Sequence, residues 1–223
     1  MQHVNDTMLQ QNVIKVPALT LPANASQHQI DDYLNGLQRH PISNICWLAL
    51  QNAPEVKFAL AYKQNALFIK YYTEESTHLA TYTISNEPVF KDSCVEFFIA
   101  VDDSGSYYNF EFNSLGTCLA SYGTDRHNRI KLSADVIANI SYKVNWFGDW
   151  SVTSPFKWEL MLTLPVSIFC FDEVRFHPAQ QLKVNFYKCG DNLPEPHYLA
   201  WNPVLSPVMD FHQPRFFGAL QLV

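Results

Sequence analysis

The chain has 223 residues and a formal net charge of -6, from 21 acidic and 15 basic residues. The basic residues form no run, so the charge pattern of a nucleic-acid-binding protein is missing. No apolar stretch reaches the roughly 20 residues of a membrane-spanning helix, and the opening MQHVNDTMLQQ lacks the basic start and apolar run of a secretory signal. We therefore expect a globular protein with no nucleic-acid partner and no membrane span.

One amphipathic helix is predicted over residues 26–39. Ser26 can cap its start, and Gln29 occupies the matching position of a capping box. Apolar residues recur on one face at helical spacing, at Ile30, Leu34 and Leu37. We expect this face to pack against an edge or an end of a sheet, and the helix to end before Pro41.

The rest of the chain consists of short β-rich runs separated by Pro, Gly, Asn and Asp signals. In chain order the runs are SNICWLAL, VKFALAYK, ALFIKYYTE, SCVEFFIAV, SYYNFEFNS, GTCLASYG, FKWELMLTLP, LKVNFYKC and FFGALQLV. No linker, repeat or change of composition divides them. This pattern predicts a single all-β domain over residues 1–223, an antiparallel β-sandwich of the jelly-roll or immunoglobulin-like kind with one short N-terminal helix.

A proline-rich segment of about thirty residues interrupts the β pattern after Cys189. Long irregular segments inside a domain are often functional. This one carries several ring-bearing side chains, at His197, Tyr198, Trp201, Phe211 and His212.

The chain has five cysteines and no CxxC pair: Cys46, Cys94, Cys118, Cys170 and Cys189. Such spacing argues against a zinc site and against a dense disulfide framework. Their strand-like contexts predict buried free thiols, which favours a reducing compartment. We expect no metal and no other cofactor.

The hairpin over residues 94–114 brings two glutamates together. A DDSG turn separates two strands in which apolar and polar residues alternate. Keeping both apolar rows on one side requires a single register, because a slip of one residue would turn a strand over. That register places Glu96 directly opposite Glu111. Two facing carboxylates repel, so we expect at least one to have a raised pKa or an arginine partner.

Other polar side chains share the face of these glutamates. They are Asn109 and Asn113 on the hairpin, and Asn185 and Tyr187 in the run LKVNFYKC. Most faces of this kind are simply solvated. Facing glutamates, short amides and a phenol instead suit a ligand rich in hydroxyl groups. Arg126 and Arg129, in the loop YGTDRHNR, are the nearest cations that can bridge a carboxylate and such a ligand.

Five strings resemble the family 9 carbohydrate-binding modules and their relatives. They are VFKDSCVEFFIA, YYNFEFNSLGTCLASYG, NFYKCGD, HYLAWNPV and DFHQPRFFGAL, in that order. DSCVEFF and YYNFEFN are the specific part, and the resemblance covers nearly all of the chain after about residue 40. It implies a non-catalytic β-sandwich that binds a mono- or oligosaccharide between two aromatic rings, with a glutamate, an arginine and amides bonding the hydroxyls.

The resemblance also implies positions for these groups. The glutamate falls on Glu96, the first aromatic on Phe90, the second on Trp201, and the arginine on Arg126 or, in second place, Arg129. Family members usually have tryptophan where this chain has Phe90, and phenylalanine offers a smaller face without an indole donor. The predicted ligand-binding residues are Phe90, Glu96, Asn109, Glu111, Asn113, Arg126, Asn185, Tyr187 and Trp201.

The sequence also allows other assignments of the aromatic site residues. Phe90 and Trp201 can instead be core aromatics; Trp146 and Trp150, beside a Phe-Gly-Asp turn, are the reserve rings. The two remaining tryptophans, Trp47 and Trp158, lie in strand runs and are predicted to be core. Some family members carry structural calcium, but the acidic residues at 102 and 103 serve equally well in the hairpin turn.

Three rival functions also stay open. A retaining glycosidase could use Glu96 and Glu111 as acid and nucleophile, since it needs carboxyls roughly 5 Å apart. A haem domain would need an axial pair, to be chosen from His78, His197, His212 and Met209. A scaffold role has no feature for or against it. The compartment is undetermined, because the family favours the envelope or the outside and the free thiols favour the cytoplasm.

Overall fold

The computed structural model describes residues 11–148 and 155–223. Within them, two β-sheets pack face to face. The strands are β1 (Val13–Val16), β2 (His40–Pro41), β3 (Asn44–Ile45), β4 (Glu55–Lys63), β5 (Ala66–Glu75), β6 (Cys94–Ala100), β7 (Tyr107–Asn113), β8 (Cys118–Gly123), β9 (Arg129–Lys131), β10 (Ser141–Phe147), β11 (Phe156–Pro165), β12 (Gln181–Cys189), β13 (Tyr198–Ala200) and β14 (Gly218–Leu222). The α-helices are α1 (Gln27–Asn35) and α2 (Ala134–Ile137), and the 3-10 turns are Val89–Lys91, Val166–Ile168 and Pro214–Phe216.

The larger sheet runs in the order β1-β14-β12-β6-β7-β8-β9, with β13 joining β12 to β3. The smaller sheet runs β10-β11-β5-β4-β2. The predicted all-β sandwich is confirmed. One edge departs from the antiparallel pattern, since β1 pairs with β14 in parallel.

The predicted helix is present, and it begins as expected. Ser26 caps α1, and both hydrogen bonds of the capping box with Gln29 form. Leu34 is fully buried in a cluster with Ala61, Phe68 and Met161, against which Ile30 and Leu37 also pack. These partners belong to β4, β5 and β11 of the smaller sheet. The expectation of a sheet edge or end is therefore wrong, because apolar residues on the outer face of this sheet require a cover.

The core between the sheets follows from the register of the central hairpin. Val95, Phe97 and Ile99 pair with Phe112, Phe110 and Tyr108, as the alternation predicts. Across the sandwich, Phe186 stacks on Phe58 with 3.7 Å between ring centroids. Trp158 is fully buried, as predicted. Neither α-helix of the described chain has the length and apolar character needed to cross a membrane.

Candidate functional site

A cavity of about 360 Å³ lies over the outer face of the larger sheet. Its floor is formed by β6, β7 and the end of β12, which contribute Glu96, Phe98, Asn109, Glu111 and Cys189. Its walls come from the 3-10 turn Val89–Lys91, the loop after β8 and the proline-rich segment. The polar face is therefore not an open sheet surface: Glu96 is 3% exposed and Glu111 is 5% exposed.

The two glutamates are the most perturbed acids of this floor. Glu96 pairs with Glu111 in the β6–β7 register, as predicted. Burial, together with the neighbouring Glu111 carboxylate, raises the pKa of Glu96 well above its usual value. Burial also raises the pKa of Glu111 to about 7. The prediction of a raised pKa in this pair is confirmed, and near neutral pH the pair retains a proton.

The oxygen atoms of the pair are only partly satisfied. Asn109 Nδ2 donates to Glu111 Oε1 at 2.8 Å, and Cys189 Sγ donates to Glu96 Oε1 at 2.9 Å. Glu111 Oε2 is buried without a hydrogen-bond partner among the described residues. Leaving a buried acceptor unpaired costs about 1–3 kcal/mol. A ligand hydroxyl that donates to this oxygen would remove that cost.

The two arginines take different positions. Arg126 is exposed at the rim, where its Nη1 donates to the carbonyl of Met209 at 3.3 Å. Arg129 reaches under the rim, where its Nε donates to Asn109 Oδ1 at 2.8 Å and its guanidinium lies 4.3 Å from the centre of the Tyr107 ring. Arg129 therefore fixes the amide that in turn holds Glu111, while Arg126 stays available at the cavity wall.

The predicted pair of rings does not form. Phe90 lines the cavity, but Trp201 belongs to the core between the sheets, edge-on to Phe58 and Phe186. The reason is strand alternation: Ala200 pairs with Tyr187 of β12 and packs in the cluster over the outer face. The next side chain, Trp201, then points inward. The placement of Trp201 opposite Phe90 is corrected accordingly.

Other rings occupy the wall that Trp201 was expected to form. Trp47, Tyr198 and Phe211 line the cavity together with Phe90. Trp47 was predicted to be core because SNICWLAL reads as a strand, but β3 ends at Ile45 and Trp47 adopts a positive φ of 64°. Its indole Nε1 donates to the Ser206 carbonyl at 2.7 Å, which fixes the ring. For Tyr198 and Phe211, the sequence signal was the proline-rich composition of the segment that follows Cys189.

Three of the predicted site residues lie under the loops and do not line the cavity. Asn113 bonds the Tyr82 carbonyl and Asp92, Asn185 bonds the carbonyls of Asn202 and Phe216, and Tyr187 stacks on Phe211. They hold in place the segments that wall the cavity. Of the reserve rings, Trp146 is 45% exposed away from the cavity, and Trp150 falls outside the described residues.

The histidines of the haem alternative are bonded to different side chains. His78 bonds Ser114, His197 bonds Lys188, and His212 bonds Tyr107. In the described part of the chain, His212 is the only one of these three histidines that lines the cavity, and Met209, the fourth candidate ligand, lines it too. The structure therefore does not bring two of these histidines together in the cavity as an axial pair.

Comparison with known proteins agrees with this architecture. Residues 27–222 match the family described as Carbohydrate-binding family 9. A solved structure from Bacteroides uniformis ATCC 8492, of a protein proposed to bind carbohydrate, is 30% identical with a TM-score of 0.86, over 96% of this chain and 100% of that one.

More distant solved structures share the fold. A family 9 carbohydrate-binding module from Caldicellulosiruptor kristjanssonii in complex with glucose has a TM-score of 0.60 at 10% identity, over 96% of both chains. The module from the same organism with cellotriose has a TM-score of 0.58 at 13% identity, over 95% of this chain and 93% of that one. No curated protein matches the chain. The family match and the similarity to the Bacteroides structure show that this chain belongs to carbohydrate-binding family 9.

Proposed function

We propose that the cavity binds a mono- or oligosaccharide. The observation that carries the proposal is the unpaired Glu111 Oε2, buried on the floor of a cavity that aromatic rings also line. Binding sites of this kind combine apolar walls with a few fixed polar groups. The Caldicellulosiruptor modules that share the fold are complexed with glucose and cellotriose, which makes glucose and its β-linked oligomers the first ligands to test.

The polar groups of the floor suit hydroxyl groups, which both donate and accept. Glu111 Oε2 accepts a hydrogen bond from one sugar hydroxyl, and Glu96 offers its second carboxyl oxygen. Asn109 uses one N–H on Glu111 and its oxygen on Arg129, which leaves its other N–H for the ligand. Arg126 donates from the rim. Because Arg129 and Asn109 fix this arrangement before binding, little ordering of side chains opposes association.

The apolar face of the sugar ring is assigned to the aromatic walls. Pyranose C–H groups pack on aromatic rings, and buried rings contribute large contact areas. Phe90 supplies one such ring, and Trp47 with Tyr198 supplies the others. In this proposal Asn113, Asn185 and Tyr187 support the walls, and Trp201 stabilises the core.

We propose further that binding is not accompanied by hydrolysis. The two carboxyls of a glycosidase flank the scissile bond, whereas Glu96 and Glu111 lie side by side on neighbouring strands of one floor. A sugar above the floor meets both carboxyls from the same side. Incubation with chromogenic glycosides and with xylo- and cello-oligosaccharides should release no product; sustained release that Glu111→Gln abolishes would establish the glycosidase alternative.

Calorimetric titration with glucose, cellobiose, cellotriose and a panel of other simple sugars tests the binding proposal. Phe90→Ala should weaken binding by roughly 1–3 kcal/mol, the range for truncating an anchor ring, and Glu111→Gln by a similar amount because it removes a charged acceptor. Phe171→Ala, at a 44% exposed ring outside the cavity, is the matched control and should bind normally. Absence of heat with every sugar, from folded parent protein, would refute the proposal.

A further inference from the structure

Three side chains with metal-ligand chemistry meet at the cavity floor. Cys94 of β6 pairs directly with Cys189 of β12 in the sheet register. Glu96 follows two residues after Cys94 and shares its face of β6. One ligand atom from each of the three lies within 4.8 Å of the other two. The strand pairing therefore assembles two sulfur donors and one oxygen donor before any ion arrives.

The present hydrogen bonds of these donors are weak. Cys189 Sγ lies 2.9 Å from Glu96 Oε1 and 3.4 Å from the carbonyl oxygen of Phe90, and Cys94 Sγ lies 3.6 Å from the carbonyl oxygen of Val95. Thiols are weak donors, so an ion that displaces these protons sacrifices little hydrogen-bond energy. Both cysteines are free thiols, and both are buried beside a carboxyl group and not in a purely apolar cluster.

The donor set selects the kind of ion. Thiolates combined with a carboxylate are ligands of Zn²⁺, whereas Ca²⁺ and Mg²⁺ take oxygen ligands. Two thiolates neutralise the charge of a divalent ion, so the buried cluster does not gain a net charge from the metal and the two sulfurs. Zn²⁺ is usually tetrahedral. Three protein donors then leave one position for water or a ligand hydroxyl.

The cavity provides the route to this position. Glu96 and Cys189 line the cavity, while Cys94 lies behind them on the floor. We propose that Cys94, Glu96 and Cys189 bind one thiophilic divalent cation of the Zn²⁺ class, whose fourth coordination position faces the cavity. Binding releases the two thiol protons to solvent as the two sulfur–metal bonds form, and the proton of the Glu96–Glu111 pair stays on Glu111 while Glu96 coordinates the cation as a carboxylate. The site goes beyond sugar binding and does not depend on it, although both would use Glu96.

The test is a titration of fully reduced, full-length protein with Co²⁺, which reports tetrahedral thiolate coordination through visible absorption bands. We expect one equivalent to bind and to be displaced by Zn²⁺. Cys94→Ser and Cys189→Ser should abolish the bands, and Glu96→Gln should weaken binding roughly tenfold or more. Zn²⁺ should also raise the melting temperature of the parent, because an ion that binds only the folded state stabilises it, but not that of the cysteine variants.

Two other cysteines provide controls. Cys118→Ala removes a buried thiol of the same sheet that packs in the inner core, and Cys170→Ser removes the exposed thiol. Both should keep the Co²⁺ bands. The proposal is overturned if the reduced, folded parent shows no bands, if the bands survive in folded Cys189→Ser protein, or if Cys170→Ser alone removes them. Should Cys94→Ser fail to fold, Cys189→Ser and Glu96→Gln decide the question, and sugar titrations in parallel report separately on the proposed function.

Discussion

On the inner side of the larger sheet, the Trp201 ring packs directly against a glycine. A Cβ atom on Gly218 of β14 would lie 2.5 Å from the Trp201 ring and 2.8 Å from the carbonyl of Asn12. Only glycine allows this approach. The ring also meets Phe58 and Phe186 edge-on, which links the two sheets.

Trp201→Ala should therefore destabilise the protein by roughly 3–5 kcal/mol, the range for truncating a large buried aromatic residue. Chemical denaturation followed by circular dichroism measures this change. Trp146→Ala, at a 45% exposed ring, is the comparison and should cost far less. An unfolding free energy of Trp201→Ala that matches that of the parent would show that the ring is not a core residue.

The same residues show what the sequence can predict. The Glu96–Glu111 pair follows from two long alternating runs, in which one slip would expose every apolar residue. Trp201 follows β13, a strand of three residues within a proline-rich segment, so its direction depends on pairing with β12 and on no local pattern. The meeting of Cys94 and Cys189 depends on the β6–β12 register, which cysteine spacing along the chain does not reveal.

At the scale of elements, a buried ionic contact joins the two sheets. Lys188 of β12 lies between the sheets, with its Nζ 2.9 Å from Glu75 Oε2 of β5 and 2.8 Å from His197 Nε2. Trp158 Nε1 donates to the other oxygen of Glu75 at 2.7 Å. Removing one partner of such a pair leaves a buried charge uncompensated, which is strongly destabilising. The alternation of LKVNFYKC places Lys188 on the apolar side of its strand, but not the carboxylate that meets it.

His197 makes this contact sensitive to pH. Burial, and secondarily the Lys188 ammonium, lowers the pKa of His197 to about 4, while Glu75 and Glu195 oppose the shift. An unfolded histidine titrates near pH 6.5, so between these values the unfolded state binds more protons. Stability is therefore lost as pH falls through that window.

We expect the unfolding free energy of the parent to fall, relative to His197→Gln, by up to roughly 3 kcal/mol between pH 6.5 and pH 4, at about 1.4 kcal/mol per pKa unit. Urea denaturation across this range measures the difference, and the contributions of other ionisable groups cancel between the two proteins. His177→Gln, at an exposed position, should follow the parent. Parallel pH profiles for the parent and His197→Gln would contradict the assignment.

For the whole molecule, the sandwich was predictable and the cavity was not. Long β-rich runs indicate two apolar layers whatever their connections. Eight of the nine predicted runs became β4 to β8, β11, β12 and β14, whereas SNICWLAL contains only the two-residue strand β3. The cavity walls come instead from irregular segments near residues 47, 90, 126 and 211. Their positions depend on side-chain anchors such as Asn113 and Asn185, which sequence alternation assigned to ligand binding.

Because segments from across the chain wall the cavity, an occupant should stabilise the entire fold. A ligand at about 100 times its Kd adds about 2.7 kcal/mol when it binds only the folded state. For a chain of this size each kcal/mol raises Tm by about 2–4 °C, so saturating sugar should raise Tm by roughly 5–10 °C. Differential scanning calorimetry measures the shift.

At the same sugar concentration, Phe90→Ala and Glu111→Gln should show a smaller Tm shift than the parent, and Phe171→Ala should show the same shift as the parent. A ligand that binds the parent in isothermal titration but leaves its Tm unchanged would bind outside these walls, because a ligand raises Tm only when unfolding destroys its binding site.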